Sequence, residues 1–153
     1  MNKWFKTKEN VSYIVLPREA FKKKDNNLKI SHAFISIHTP GDKAPFIATN
    51  DYTLGFMSLC FDDVDSEKMF EGINRKPILF NEQIAYDIIA FWAKINPKVF
   101  VIHCDAGFSR SPAVAAALTS INGDSDLEFF SRYRLNMLVY RTLIETAQKL
   151  KSL

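Results

Sequence analysis

The chain has 153 residues, a net charge of +3, and 47% hydrophobic against 24% charged residues, the composition of a globular protein with one substantial core. That charge is too weak to argue nucleic-acid binding, although it suits a surface that meets anionic substrates. No apolar run approaches a membrane span, the start lacks the apolar core of a secretory signal, and two cysteines without a C-x-x-C pair fit a reducing, cytoplasmic setting without structural zinc.

In chain order, residues 1–10 are polar and lysine-rich and predict a flexible arm with Trp4 and Phe5 pinned to the body. Residues 11–16 read as a first strand closed by Pro17, and 18–24 as a short helical stretch. Within it, Lys22-Lys23-Lys24 reads as a solvated face, with a docking patch for phosphate-rich partners as the alternative. Asp25-Asn26-Asn27 is turn chemistry, residues 29–37 a second strand, and Thr39-Pro40-Gly41-Asp42 a second turn. Residues 43–53 carry no periodicity and read as a surface connection; 55–61 form a third strand with an abrupt acidic exit at Asp62, Asp63 and Asp65. Residues 66–76 read as a mixed loop with one helical turn. His32, His38 and His103 are scattered and read as satisfied core or loop residues, not metal ligands.

Asn81 is a candidate N-cap for a long helix carrying Ile84, Ile88, Phe91, Trp92 and Ile95 at helical spacing, ended by Asn96-Pro97. Val99-Phe100-Val101-Ile102 is a short apolar run, the pattern of a strand buried on both faces. Pro112 then opens the helical run 113–118, stopped at Asn122-Gly123. Ser125 with Glu128 matches a capping box for a short helix to Tyr133. A last helix over 138–149 shows Tyr140, Ile144, Ala147 and Leu150 as its stripe. Early strands, late helices and long crossovers predict α/β layers around a mostly parallel sheet, as a single domain over 1–153.

The stretch from Cys104 to Arg110 therefore lies between a strand's carboxyl end and a helix's amino end. Backbone amides and the helix dipole make such a place an anion site, and the same field favours a cysteine thiolate. Arg110 adds a planar fork that matches two phosphate oxygens, and Gly107 supplies a backbone angle that other residues avoid.

His103-Cys104, five residues, then Arg110-Ser111 resembles the signature of the cysteine-dependent protein tyrosine phosphatases. The small dual-specificity-like branch is the closer likeness, since Gly107 and the Ser109-Arg110-Ser111 ending also fit. The resemblance implies a central mixed, mostly parallel sheet of four or five strands flanked by helices. It implies Cys104 as nucleophile toward a phosphate monoester. The equatorial oxygens would be held by the amides of Asp105, Ala106, Gly107, Phe108, Ser109 and Arg110 and by the Arg110 guanidinium. His103 would orient the loop and Ser111 would donate to the thiolate, with no cofactor and no metal.

It also implies an aspartate acid on the loop before the cysteine strand, for which Asp62, Asp63 and Asp65 all qualify. Strand alternation fixes Asp62 at the strand end and Val64 separates Asp65 from it, so the reading selects Asp63. In the resembling enzymes an asparagine after a proline braces the loop from behind. Leu135 stands in place of that proline here, so Asn136 as brace and Asn136 as helix cap both stay open. Asp105 opposes polyanionic substrates, which favours phosphotyrosine, then phosphoserine or phosphothreonine, on a protein or peptide, without nucleic-acid or membrane partners. The alternatives are a phosphatase of RNA 5′ ends or phosphoinositides, and a phosphate-binding module without catalysis. Cys60 reads as a core cysteine, with a disulfide to Cys104 as the rival.

Overall fold

β4, Val99–Cys104, is buried at every position and stands inside the sheet. The computed structural model describes residues 6–65 and 75–153. Within them β1 is Ser12–Pro17, β2 His32–His38 and β3 Thr53–Cys60; the helices are α1 Glu82–Lys94, α2 Arg110–Ile121, α3 Leu127–Arg132 and α4 Met137–Lys151. The strand order among the described residues is β1-β4-β2-β3 and every pairing is parallel. This is the α/β architecture that the strand and helix patterns predict, with the sheet parallel throughout. β4 follows β3 in the chain yet inserts between β1 and β2. The carboxyl end of such a strand is where open α/β sheets hold ligands.

α1, α2 and α4 build the larger core on one face, where Ile35, Ile37, Phe100 and Ile102 meet Ile88, Trp92, Val114, Leu118 and Leu143. Each fully buried aliphatic side chain there stabilises the fold by roughly 1.5–3 kcal/mol relative to exposure. α2 is buried on nearly all sides, and its small side chains Ala113, Ala115, Ala116 and Ala117 let it run deep in this layer. The opposite face carries a smaller cluster of Phe34, Ile47, Val99 and Val101, backed by Leu16, Phe21 and Leu28. So residues 43–53 are more than a surface connection. Ile47 among them is buried, and Asn50 Nδ2 donates to the carbonyls of Asn26 and Leu28 at 3.1 and 2.9 Å.

Local chemistry explains the boundaries. Asn81 caps α1, its side-chain oxygen accepting from the Ile84 amide at 3.0 Å. Gly41, at φ 90°, and the Asp42 amide bonded to the Thr39 carbonyl at 3.0 Å close the turn after β2 with proline and glycine where a type II turn needs them. α2 starts at Arg110, two residues before Pro112, because the first helical amides have no intrahelical partner and the proline ring costs no bond there.

Three further expectations are corrected. The helical stretch over 18–24 is a single 3-10 turn, Arg18–Phe21. The capping box at Ser125 does not form: the N-cap of α3 is Asp126, whose carboxylate instead accepts from the Tyr140 hydroxyl at 2.5 Å. On α4 the buried face runs through Val139, Leu143, Thr146, Ala147 and Leu150, displaced by one position from Tyr140 and Ile144.

Trp4, Phe5 and most of the predicted mixed loop, residues 66–74, lie outside the described residues. Lys8 is bound to the body, its amide donating to Asn122 Oδ1 at 2.7 Å and its ammonium to the Ile95 carbonyl at 2.9 Å. Among the described residues no helix is long and apolar enough to cross a membrane.

Candidate active site

The β1–β4 ladder sets the site's geometry. Pro17 pairs with Cys104, and the Arg18 amide carries the ladder one residue further by donating to the Asp105 carbonyl at 3.0 Å. Cys104 ends the strand as a buried thiol, and Ser111, in the first turn of α2, places its Oγ 3.0 Å from the sulfur. Between them the chain turns back through Gly107 at φ 66°. A Cβ there would also stand 2.7 Å from the Pro17 nitrogen and 2.8 Å from the Leu16 carbonyl carbon, so glycine is required both by angle and by space.

Ser109 occupies the N-cap of α2 yet does not cap it; its hydroxyl donates to Asp63 Oδ1 at 2.8 Å. The first-turn amides of α2 are therefore left to another acceptor. Ala106 and Phe108 are exposed on the rim, with Phe108 edge-on to Tyr133 at 6.4 Å.

Arg110 is 4% exposed. Its Nη1 donates to the Phe61 carbonyl at 2.8 Å and its Nη2 to Asp105 Oδ2 at 3.0 Å. Nε is buried with no partner among the described residues. A buried donor without an acceptor is costly, and a tetrahedral oxyanion would satisfy it.

Asp105 accepts from the Thr39 hydroxyl and from Arg110 on one oxygen, with Arg18 3.9 Å from the other. Burial pushes its carboxyl up, but the Thr39 and Arg110 bonds outweigh this and hold it below the ordinary value. The His103 ring stands 4.9 Å from that of Phe21. Its Nδ1 faces the Cys104 carbonyl at 3.3 Å, an acceptor only, so Nδ1 carries the proton and Nε2 accepts from Ser36 at 2.5 Å. Burial lowers its pKa, which keeps the ring neutral and suits a positioning role.

The acidic loop divides its work. Asp62 is buried and held by both nitrogens of Arg75, at 2.9 and 2.8 Å, and by the Ile78 amide at 2.8 Å. Asp63 is exposed over the loop of residues 104–110 and accepts from Ser109 and from Asn136 Nδ2, the latter at 3.0 Å. Asp65 is exposed beyond the buried Val64. Asn136 Oδ1 also accepts from the Val139 amide at 3.2 Å as the N-cap of α4, while its side-chain N–H reaches the acidic loop and not residues 104–110.

Cys60 ends β3, with β2 between it and β4. Two strand spacings, roughly 9–10 Å, exceed the reach of a disulfide without backbone movement. His32 is a satisfied core residue, its ring held by Ile30, Thr53 and Asn26. No cluster of metal-ligating side chains occurs among the described residues.

No family model matches the chain, and no curated protein does. Solved structures do. Human DUSP28 superposes with a TM-score of 0.53 at 12% identity, over 92% of this chain and 94% of that one. PTPMT1, solved in complex with PI(5)P, superposes with a TM-score of 0.52 at 11% identity, over 97% of each chain. The fold is that of the dual-specificity phosphatases.

Within this dual-specificity phosphatase fold the bonds fall into three groups on adjoining segments: Cys104 with Ser111, Arg110 with Phe61 and Asp105, and Asp63 with Ser109 and Asn136. Sequence reading missed Phe61, whose carbonyl holds Arg110, and Thr39 and Ser36, which fix Asp105 and His103. Ser36 is the register partner of His103, a relation visible only once the strands are aligned.

Proposed function

We propose that this protein hydrolyses phosphate monoesters of proteins or peptides, phosphotyrosine first, through a cysteinyl-phosphate intermediate. The observation that carries the reading is the buried Cys104 thiol beneath a loop closed by a buried Arg110 whose Nε awaits an acceptor. The Cys104 thiolate attacks phosphorus in line as the bond to the leaving oxygen breaks. The amides of 105–110 and Arg110 hold the three equatorial oxygens. Asp63, both of whose bonds fall on Oδ1, turns Oδ2 to the leaving oxygen and donates the proton from it. Its carboxylate then takes a proton from water, which attacks phosphorus and expels the thiolate; the Ser111 hydroxyl stabilises the sulfur as it leaves. The chain works as a single domain without metal or cofactor. A reducing, cytoplasmic setting suits its cysteines, both of them free.

The test is turnover of phenyl phosphate and of a phosphotyrosine peptide, with mass spectrometry of rapidly quenched protein. A gain of one phosphoryl group on the Cys104 peptide is expected. Absence of turnover for both substrates, with phosphate still bound, leaves a binding module in its place.

A further inference from the structure

The Lys22-Lys23-Lys24 run has a place in the fold that the proposed hydrolysis does not use. The 3-10 turn that precedes it is tied to the phosphate-type loop by the Arg18–Asp105 backbone bond, and Phe21 of that turn packs against His103. Between this turn and Pro45-Phe46 lies a groove of about 510 Å³, and Asp105 forms the wall it shares with the loop. Lys22 and Lys24 line the groove with Arg18. Phe46 is 61% exposed there, the most exposed phenylalanine among the described residues.

The charges select one kind of occupant. Arg18, Lys22 and Lys24 face Glu19 and Asp105, so the lining carries a single excess positive charge. Asp105 is already engaged with Arg110 and Thr39, and Glu19 is 3.4 Å from the Lys22 ammonium. One surplus cation beside an exposed aromatic ring matches one carboxylate on a chain that also has apolar surface to lay down. It does not match a polyphosphorylated headgroup, which two carboxylates in the wall would repel. Asp63 and Ser109 stand at the other end of the loop, so a peptide entering over Cys104 can reach the groove without crossing the acid.

From this we infer that the groove is an accessory subsite for an acidic side chain flanking the phosphorylated residue of a peptide substrate. The inference rests on the hydrolase reading for its substrate, but the binding arm of its test does not. Phosphotyrosine peptides carrying a single glutamate at successive flanking positions are compared with their alanine counterparts, on the full chain and on a Lys22→Ala/Lys24→Ala variant. Glutamate at one position is expected to raise kcat/KM about two- to fivefold at low salt, the range of an exposed ion pair, and salt should erase the gain. The lysine variant loses the preference, while turnover of phenyl phosphate, too small to reach the groove, is unchanged. A preference absent at every position, or undiminished in the variant, overturns the subsite.

Binding of the same labelled peptides to Cys104→Ser protein reads the groove without catalysis: tighter binding of the glutamate peptide supports it, equal binding overturns it. A wild type that cannot hydrolyse phenyl phosphate but keeps the binding preference sinks the hydrolase reading alone. Vesicles containing a monophosphorylated phosphoinositide, if hydrolysed faster than every peptide and slowed in the lysine variant, replace the peptide with a lipid and overturn the assignment.

Discussion

Asn136 donates its side-chain N–H to Oδ1 of Asp63 at 3.0 Å. Its backbone N–H donates to the Ser109 carbonyl at 3.1 Å, so one residue fastens the acidic loop to the loop of residues 104–110. The other end of the same side chain caps α4. These two duties separate by substitution. Asn136→Ala should cost about 1 kcal/mol through the lost cap, a fall in Tm of about 2–4 °C. Asn136→Ser keeps a good cap and should hold the Tm. Both should slow hydrolysis of phenyl phosphate about tenfold or more, the scale of a displaced catalytic group. Full activity in Asn136→Ala at a reduced Tm would make Asn136 a cap and nothing else.

Gly107→Ala should damage binding and folding together. The left-handed angle costs an alanine about 1–2 kcal/mol. The added Cβ also meets backbone at Leu16 and Pro17, which yields only by parting β1 from β4. A lower urea midpoint and a vanadate affinity weakened by an order of magnitude or more are expected. Unchanged vanadate inhibition would mean that the loop does not cradle the oxyanion.

What could be read from the sequence was contiguous. β4, the loop and α2 occupy one stretch, and their order along the chain already implies a loop between a strand's carboxyl end and a helix's amino end. The Asn81 cap was legible for the same reason, since donor and acceptor lie three residues apart. The partners that tune the site were not. Arg75 lies 13 residues from Asp62 and Thr39 lies 66 from Asp105, and no local period records either pairing. The Ser125 box failed because Asp126 stands beside it, and Tyr140, on another helix, takes that carboxylate.

Asp62 makes stability depend on acid pH. The Arg75 bonds and the Ile78 amide hold its carboxyl below the usual range against the opposing effect of burial. Its folded pKa is thus depressed. The stabilisation is full above the unfolded value of about 4 and is lost as pH falls through the folded pKa. Asp62→Asn should lower stability by a constant amount above about pH 5, and the gap to wild type should narrow below about pH 4. Asp105 is depressed in both proteins, so the difference isolates Asp62. Urea titrations from neutral to acid pH check this. A gap that stays constant down to pH 2 would mean that the Arg75 pair does not shift Asp62.

Cys104 and Arg110 should separate chemistry from binding. On the proposed mechanism Cys104→Ser removes the nucleophile and leaves the amides and guanidinium in place, so turnover should vanish while phosphate still binds. Arg110→Lys should lose both. An ammonium can replace neither the pair of bonds to Phe61 and Asp105 nor the free Nε between them. Isothermal titration with inorganic phosphate, beside a phenyl phosphate assay, reads the two effects. Cys104→Ser retaining a tenth of wild-type turnover would exclude the covalent route.

The last prediction distinguishes Asp63 from its neighbours on the acidic loop. Asp62 spends both oxygens on Arg75 and Ile78, and Asp65 lies beyond the buried Val64, so neither is held over the loop by a bond to it. Asp63 is so held, through Ser109, whose hydroxyl forgoes capping its own helix to make that bond. A proton donor matters most when the leaving oxygen is strongly basic. Asp63→Asn should therefore slow alkyl and phenyl phosphates by about 10²–10⁴-fold and barely touch an aryl ester whose phenolate departs unaided. The slope of log kcat against leaving-group pKa should steepen accordingly. Ser109→Ala, which removes one of the two bonds to Asp63 and leaves that from Asn136, should produce a weaker version of the same change. Asp62→Asn and Asp65→Asn should leave the slope as in wild type. If either of those two steepens it and Asp63→Asn does not, the proton comes from elsewhere on the loop and the bond to Ser109 serves only to close it.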